Sequence, residues 1–438
     1  MNLLDRLKNW IPLDSYLRIL YHKVRAMLAA VCYGFPANRM IVIGVTGTDG
    51  KTTTCAMITA ILKQASYKVG LISTVLCSIG DDTWMNESKM TSLDPFTMNS
   101  YLSKMKKAGC HYAVIEISSH AILYNRIWGV NVDVAVMTHI SSDHLDLHRT
   151  LQNYIQTKKK LFTSLNYFTR KPQVPKVIIL NNDDQYIQEF EETIADKKYF
   201  YGIHVSSQVY GMNVVCNTQQ TSFTVRLANV TENITIPLPG AFNVYNALAA
   251  ITVALSQNIS LSVMKEALSH FSGVPGRMEA IDEGQPFSVI VDYAHTEDAL
   301  KKVLSTIRPT VSGKLILVFG ATGDRDRTKR PKMGEIAHRY AHQIILTDDD
   351  PYTENNMSII QEVTKGIHRQ ESHDFWTIPN RRQAIKTAIT IAEKGDMVLI
   401  TGKGAEQVQV LQTGKIPWDD RMIARQYLRE RFPSSSTE

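Results

Sequence analysis

From residue 39 onward the chain alternates short, continuous apolar runs with longer stretches in which apolar residues return every three or four positions. The runs Met40–Val45, Val69–Thr74, Ala113–Ile117, Val132–Thr138 and Lys176–Leu180 are too short for helices and lack the alternation of half-exposed strands. They read as strands buried on both faces. Helical stretches between them, such as Thr52–Ala65, supply the cover, which predicts a mostly parallel sheet. Val209–Leu238 differs, because polar and apolar residues alternate there, as in Thr221–Leu227; antiparallel strands at a sheet edge are predicted. Helices are predicted near Val244–Leu255 and Ser262–Phe271. Val274-Pro275-Gly276-Arg277 reads as a joint between domains, after which the alternation restarts. Ser288–Asp292, Lys314–Phe319, Gln343–Thr347, Phe375–Ile378 and Met397–Thr401 are the strands predicted for a second α/β domain.

Residues 1–38 are expected to form a short helical segment. Leu17, Ile19, Leu20, Val24, Met27, Leu28 and Val31 recur at helical spacing, but Asp14, Arg18, His22, Lys23 and Arg25 interrupt the stretch, so it does not span a membrane. An amphipathic helix packed on the body is the expectation, with membrane association the alternative. The end, Ser434-Ser435-Ser436-Thr437-Glu438, is expected to fray. At 438 residues the chain is too long for one ordinary domain. Its net charge of +6 is spread along the sequence, which does not call for a nucleic-acid partner and fits a polyanionic small substrate or an ordinary surface equally well. The five cysteines, in no CxxC or metal spacing, suit a reducing, cytoplasmic setting.

The sharpest chemical signal is Gly44-Val45-Thr46-Gly47-Thr48-Asp49-Gly50-Lys51-Thr52-Thr53, placed between a predicted strand and a predicted helix. Glycines there let backbone N–H groups surround phosphate oxygens, and the helix N-terminus adds its partial positive charge. Lys51 can reach the β- and γ-phosphates, and the Thr52 or Thr53 hydroxyl can ligate Mg²⁺. The strict P-loop spacing is not met, since Gly44 lies one residue too early.

The variant Gly-Thr-x-Gly-Lys-Thr-Thr resembles the signature of Mur ligases and of folylpolyglutamate synthetases. Further blocks resemble the Mur ligases in order and spacing: Glu116-Ile117-Ser118-Ser119-His120, Thr138-His139-Ile140-Ser141-Ser142-Asp143-His144, Tyr154 to Phe162 with Lys158, Leu238 to Leu248, Val274 to Glu279, Asp292-Tyr293-Ala294-His295, and Gly323 to Pro331. Within that family they look like the tripeptide synthetases, which add the third amino acid of the peptidoglycan stem. The resemblance covers roughly residues 40–428. It implies a central P-loop ATPase domain with a mostly parallel sheet, residues 39–273, and a C-terminal Rossmann-like α/β domain, residues 274–438, that takes the incoming amino acid.

The reaction so implied runs through an acyl phosphate. A carboxylate of a UDP-muramyl-peptide-like acceptor attacks the ATP γ-phosphate, and the amine of a free amino acid then expels phosphate. Anions gather in the first step, so cations must screen them. Lys51 and Mg²⁺, two ions being expected, would do so, with Thr52, Glu116, His144 and a carbamoylated Lys158 as the metal-holding residues. For His144 the residues alone suggest a capping or hydrogen-bonded histidine, and for Lys158 a solvated basic helix face. The resemblance assigns Gly47, Thr48, Asp49, Gly50, Lys51, Thr52, Thr53, Asn243, Asn246, Arg277, Asp292 and His295 to the nucleotide. It assigns Thr91, Ser92, Ser118 and Arg126 to the acceptor. Arg325, Lys329 and Arg330 are expected to form a basic loop for phosphate or carboxylate groups.

Asp349-Asp350-Pro351-Tyr352 stands where diaminopimelate-adding members read Asp-Asn-Pro-Arg. Tyrosine cannot clamp a distal carboxylate as arginine does. The acidic run at Asp348–Asp350 favours a cationic side chain, so L-lysine or another diamino acid is the expected substrate. Gly402-Lys403-Gly404-Ala405-Glu406 resembles the family's Gly-Lys-Gly-His-Glu, with Gly402 and Glu406 as substrate-binding positions.

Three departures stand out. Residues 1–38 are shorter than the domain that usually holds the uridine nucleotide, which implies weak binding of that moiety, another carrier, or a partner that supplies the domain. Asp49 stands for a usual Asn, and His139 for another, as a neutral substitute or an added metal ligand. Two other readings remain open: a family ligase acting on another carboxylate, as folylpolyglutamate synthetases do, and a non-catalytic ATP-binding scaffold in cell-wall assembly.

Overall fold

The computed structural model describes residues 15–433 apart from Lys89 and Ser372. The expected frayed end at 434–438 and the first fourteen residues of the N-terminal segment lie outside the described residues. The chain divides into two compact units, the first drawn mainly from residues 1–272 and the second mainly from 273–438.

In the first unit, eleven strands form one sheet: β1 (Ile41–Thr46), β2 (Val69–Ile72), β3 (Leu76–Ile79), β4 (Asp82–Met85), β5 (Tyr112–Glu116), β6 (Val134–Met137), β7 (Val177–Asn181), β8 (Lys197–Gly202), β9 (Val209–Cys216), β10 (Thr221–Leu227) and β11 (Val230–Ile236). Their order is β11-β10-β9-β8-β7-β6-β1-β5-β2-β3-β4. From β2 to β9 every pairing through β1 is parallel. The buried runs therefore occupy the middle, where both faces are covered by helices. The alternating segment supplies the edge strands β9–β11, and Ala228-Asn229 is a two-residue link that joins only antiparallel neighbours. At the other edge β2–β3 and β3–β4 pair antiparallel, two strands that the apolar runs did not signal.

β1 lies at the centre, between β5 and β6, so the glycine-rich turn leaves its C-terminal end at the middle of the sheet. The Lys51–Gln64 helix continues from that turn and packs on the helices Phe242–Ser256 and Leu261–Ser269. Several other helices start where a side chain satisfies the first free amides. Asp94 accepts from Phe96 N at 3.1 Å before Pro95–Lys107, and Thr150 accepts from Asn153 N at 3.2 Å before Leu151–Thr163. Beneath the start of β6, the buried Asp133 is bound by Lys171, by Lys176 at 2.9 Å and by the Val42 amide at 2.8 Å. This ties β1 to β6 at the end away from the turn.

The N-terminal helix, Tyr16–Cys32, packs on Pro95–Lys107, but with the opposite face to the one expected. His22, Ala26, Ala29 and Ala30 are buried, while Leu17, Leu20, Val24, Met27, Leu28 and Val31 face outward. Small side chains allow the close approach on the inner side, and the large apolar ones are left outside. No helix among the described residues is long and apolar enough to cross a membrane.

The second unit has a six-stranded sheet of order β12-β13-β17-β14-β15-β16, built from β12 (Glu279–Ala280), β13 (Ser288–Asp292), β14 (Leu315–Phe319), β15 (Gln343–Leu346), β16 (Phe375–Thr377) and β17 (Met397–Thr401). All pairs are parallel except β12–β13. A hairpin of β18 (Val408–Leu411) and β19 (Gly414–Pro417) follows.

Candidate active site

In the first unit the turn after β1 gathers the strongest candidates. Gly50 heads the Lys51–Gln64 helix at φ +79, and a Cβ there would lie 2.2 Å from Asn246 Oδ1, so only glycine fits. Asn246 is fixed below the turn by accepting from Thr54 Oγ1 at 3.3 Å and donating to Asn243 Oδ1 at 2.9 Å. Thr138 Oγ1 donates to Asp49 O at 2.7 Å, and Thr48 Oγ1 meets Tyr154 OH at 3.0 Å and the Ser141 amide at 2.9 Å. The loop is thus held from the ends of β6 and from the Leu151–Thr163 helix.

Two ammonium groups address this loop. Lys51 Nζ donates to Thr48 O at 2.6 Å, and Lys158 Nζ donates to Gly47 O at 2.6 Å. Lys158 is buried rather than on a solvated helix face, and its Nζ lies 4.6 Å from the centroid of the Tyr154 ring. Burial, reinforced by the Lys51 charge, pushes its pKa well below the ordinary lysine value against the pull of Asp143, Asp49 and Glu116.

Glu116, at the end of β5, is buried beside the loop. Its Oε2 accepts from Thr52 Oγ1 at 3.0 Å and from the Thr74 amide at 2.8 Å. The same strand end carries the acceptor candidates. Ser92 Oγ donates to Glu116 O at 3.1 Å and accepts from the Ser118 amide at 3.0 Å, and Thr91 Oγ1 accepts from Thr74 Oγ1 at 3.1 Å. A hydroxyl and a carboxylate side by side at a helix N-terminus are hard oxygen ligands of the kind Mg²⁺ takes, so the donor set fits that ion.

Other candidates have partners of their own. His144, in left-handed backbone at φ 52, contacts Asp143 Oδ2 at 3.3 Å, with its ring 4.7 Å from that of His120. His139 Nδ1 pairs with the buried Asp184 Oδ2 at 3.0 Å, and its backbone bridges to Asp49, so the two departures from the family pattern are neighbours. Arg126 stacks over Tyr124 at 5.2 Å.

The second unit holds an acidic cluster at the ends of β15 and β17. Lys403 is fully buried and donates to Asp350 Oδ1 at 2.8 Å and Glu406 Oε2 at 2.9 Å, with Asp349 Oδ1 at 3.8 Å. Burial alone would lower its pKa; Asp349, Glu406 and Asp350 outweigh burial and hold it above the usual value. Lys403, inside the Gly402-Lys403-Gly404-Ala405-Glu406 stretch, claims part of the negative charge expected to meet the incoming amine. Asp349 Oδ2 and Asp348 Oδ1 are buried and have no hydrogen-bond partner among the described residues. Burial raises the pKa of both carboxyl groups. Gly402, at φ +114, leaves room for this oxygen, since a Cβ there would lie 2.6 Å from Asp349 Oδ2. Arg381 does not reach it by a hydrogen bond, being committed to Asp420 at 2.6 Å.

The expected basic loop is corrected in part. Arg330 is buried and ion-paired with Glu354 at 2.9 Å and Glu362 at 2.8 Å, so it braces the fold instead of facing a ligand. Arg325 is exposed and lies 5.5 Å from the centroid of the Tyr352 ring. Arg277 covers Tyr293 at 4.4 Å, His295 Nδ1 meets Tyr293 O at 3.0 Å, and Asp292 accepts from the Met278 and Ala294 amides at 2.8 Å each. Burial lowers the His295 pKa.

The chain is similar to known proteins in sequence and fold. Residues 45–254 match the Mur ligase middle domain and residues 276–404 the Mur ligase, glutamate ligase domain. The chain is 39% identical over 415 residues to the UDP-N-acetylmuramyl-tripeptide synthetase of Roseiflexus sp. (strain RS-1), covering 92% of this chain and 82% of that protein. It is 39% identical over 399 residues to the UDP-N-acetylmuramoyl-L-alanyl-D-glutamate--2,6-diaminopimelate ligase of Bacillus velezensis, covering 91% and 80%. A solved structure of a ligase of that second name superposes with a TM-score of 0.65 at 31% identity, over 90% of this chain and 79% of the other. Mycobacterium tuberculosis folylpolyglutamate synthase complexed with ADP superposes with a TM-score of 0.69 at 17% identity, over 86% and 91%, which shows a common fold alone.

Proposed function

The chain belongs to the Mur ligase family, and from that premise we propose that it extends a UDP-muramyl-dipeptide-like acceptor by one diamino acid, L-lysine in preference to diaminopimelate. It is an ATP-dependent amide-bond ligase of peptidoglycan precursor synthesis, like its relatives. The observation that carries the site assignment is the Thr52–Glu116 pair at 3.0 Å beneath a loop addressed by Lys51 and Lys158.

In this reading the backbone amides from Gly47 to Thr53 and the Lys51 ammonium hold the triphosphate. Thr52 and Glu116 hold Mg²⁺, with His144 and Lys158 serving a second ion. Bound there, the metal would screen the phosphates from the approaching carboxylate. Lys158 suits carbamoylation, because only a neutral amine adds CO₂, losing one proton to give an N-carboxylate, and burial favours the neutral amine. Thr91, Ser92, Ser118 and Arg126 orient the acceptor so that its carboxylate meets the γ-phosphate. Asn243 and Asn246 keep the loop open by bracing it from below.

The unpartnered oxygens of Asp348 and Asp349 support the choice of amino acid. A buried carboxylate oxygen without a donor is costly, and a substrate ammonium relieves that cost. Tyr352 offers no second cation for a distal carboxylate, and the nearby guanidinium of Arg325 lies against its ring.

The test is ADP release by the purified full chain with UDP-muramyl dipeptide and a panel of amino acids. Release should require both acceptor and amine and be fastest with L-lysine. ATP hydrolysis indifferent to the amine would favour the scaffold reading, and faster turnover with diaminopimelate would remove the lysine assignment alone.

A further inference from the structure

His148 is buried in the first unit, and a hydroxyl lies at each of its ring nitrogens. Nε2 lies 3.1 Å from Ser119 Oγ, and Nδ1 lies 3.4 Å from Thr157 Oγ1. The Thr157 hydroxyl proton is committed, because Oγ1 donates to Asn153 O at 2.8 Å. Its oxygen therefore accepts, which assigns the ring proton to Nδ1 and leaves Nε2 of a neutral imidazole to accept from the Ser119 hydroxyl. Ser119 and Thr157 are buried as well, so a partner removed here leaves a buried polar group unsatisfied.

The imidazole joins three segments. Ser119 follows Ser118, whose Oγ accepts from the Ala121 amide at 3.2 Å and meets Ser92 Oγ at 3.2 Å. Thr157 precedes Lys158 on the Leu151–Thr163 helix. His148 itself closes the short turn that starts at His144, its amide donating to His144 O at 3.0 Å. Its ring packs T-shaped at 5.2 Å on Tyr154, which holds Thr48 in the phosphate loop. We infer that His148 is a positioning residue of the ligase reaction. It fixes the Ser118–Ser119 turn against the helix that carries Lys158 and the turn that carries His144, and so sets where the acceptor carboxylate lies relative to the second ion. The inference rests on the reading of Ser118 as an acceptor contact and of His144 and Lys158 as serving that ion. A reacting group misplaced by about 1 Å costs about 100-fold in rate, so a rigid link between these segments bears directly on turnover.

The experiment measures ADP release by the purified full chain with ATP, UDP-muramyl dipeptide and whichever diamino acid it turns over fastest, with a thermal melt of every variant. His148→Asn keeps an amide near Nδ1 and loses the reach to Ser119; His148→Gln brings a carbonyl near Nε2 and keeps that bond. His148→Asn and Ser119→Ala should each lower kcat/KM for the acceptor by about tenfold or more, and the double variant should fall no more than about threefold below either, because both remove one interaction. His148→Gln should recover most of the loss. Losses that multiply in the double variant, equal losses in the Asn and Gln variants, or lowered melting temperatures with unchanged kcat/KM overturn the inference. So does Ser119→Ala with wild-type kinetics, a result that needs no His148 variant to fold. A wild-type chain that releases no ADP with this acceptor and any diamino acid removes instead the functional reading beneath it.

Discussion

Replacing Tyr352 with arginine should shift the amino-acid preference toward 2,6-diaminopimelate. Tyr352 sits in left-handed backbone at φ 50, with its amide 3.4 Å from Val410 O. Arginine bears the same backbone cost, so that contribution cancels. A guanidinium at this place can donate two charge-assisted hydrogen bonds to a distal carboxylate, worth about 1.5–3 kcal/mol. The lost stacking of Arg325 on the Tyr352 ring, 5.5 Å from the centroid, is the same whichever amino acid is bound, so it cancels in the substrate ratio. The gain of about 1.5–3 kcal/mol corresponds to a rise of roughly 10- to 150-fold in the ratio of kcat/KM for diaminopimelate over that for L-lysine. The ratio is measured from initial rates of ADP release at saturating ATP and acceptor, with thermal melts confirming that both proteins are folded. A ratio unchanged within about twofold in a folded variant would refute the assignment of Tyr352 as the discriminating residue.

Glu116→Gln should raise the Mg²⁺ concentration for half-maximal rate by about tenfold or more, since a neutral amide replaces the carboxylate beside Thr52; an unchanged Mg²⁺ titration counts against the metal assignment. Lys158 has a folded pKa lowered by burial, so between that pKa and the unfolded value near 10.4 the unfolded chain binds the extra proton. Its contribution to stability therefore grows with pH across that window, and Lys158→Met should flatten this part of the profile in urea titrations. Arg381→Ala strands the fully buried Asp420 and should lower the stability of the second unit by about 3–5 kcal/mol, read from urea unfolding. Asp49→Asn should leave kcat/KM within about tenfold, because the Asp49 carbonyl, not its carboxylate, receives the Thr138 hydroxyl; a larger loss assigns the carboxylate a role of its own.

The course of the chain through its strands was legible because burial on both faces demands unbroken apolar runs, and Met40–Val45 and Ser288–Asp292 show that demand directly. The edge strands β3 and β4 were not, since Thr83 and Trp84 sit in a short polar-apolar mixture that a loop would tolerate equally. Among site residues the phosphate loop announced itself through local backbone needs: glycine at Gly50, a lysine and two hydroxyls after it. The amphipathic spacing of the N-terminal helix was equally clear, yet spacing cannot say which face meets the body, and it is the alanine face that does.

What the sequence determined by itself is what short-range rules govern: strand and helix order, the phosphate-binding turn, and the family to which the motifs belong. Only the tertiary structure decided that Lys158 is buried against Gly47, that Arg330 is held by Glu354 and Glu362, and that Asp349 has an oxygen without a donor among the described residues. Those outcomes depend on desolvation and on partners up to 111 residues away, as for Lys158 and Gly47. The physical reason is that a charged side chain takes its protonation and its role from neighbours in space, which the linear order does not specify.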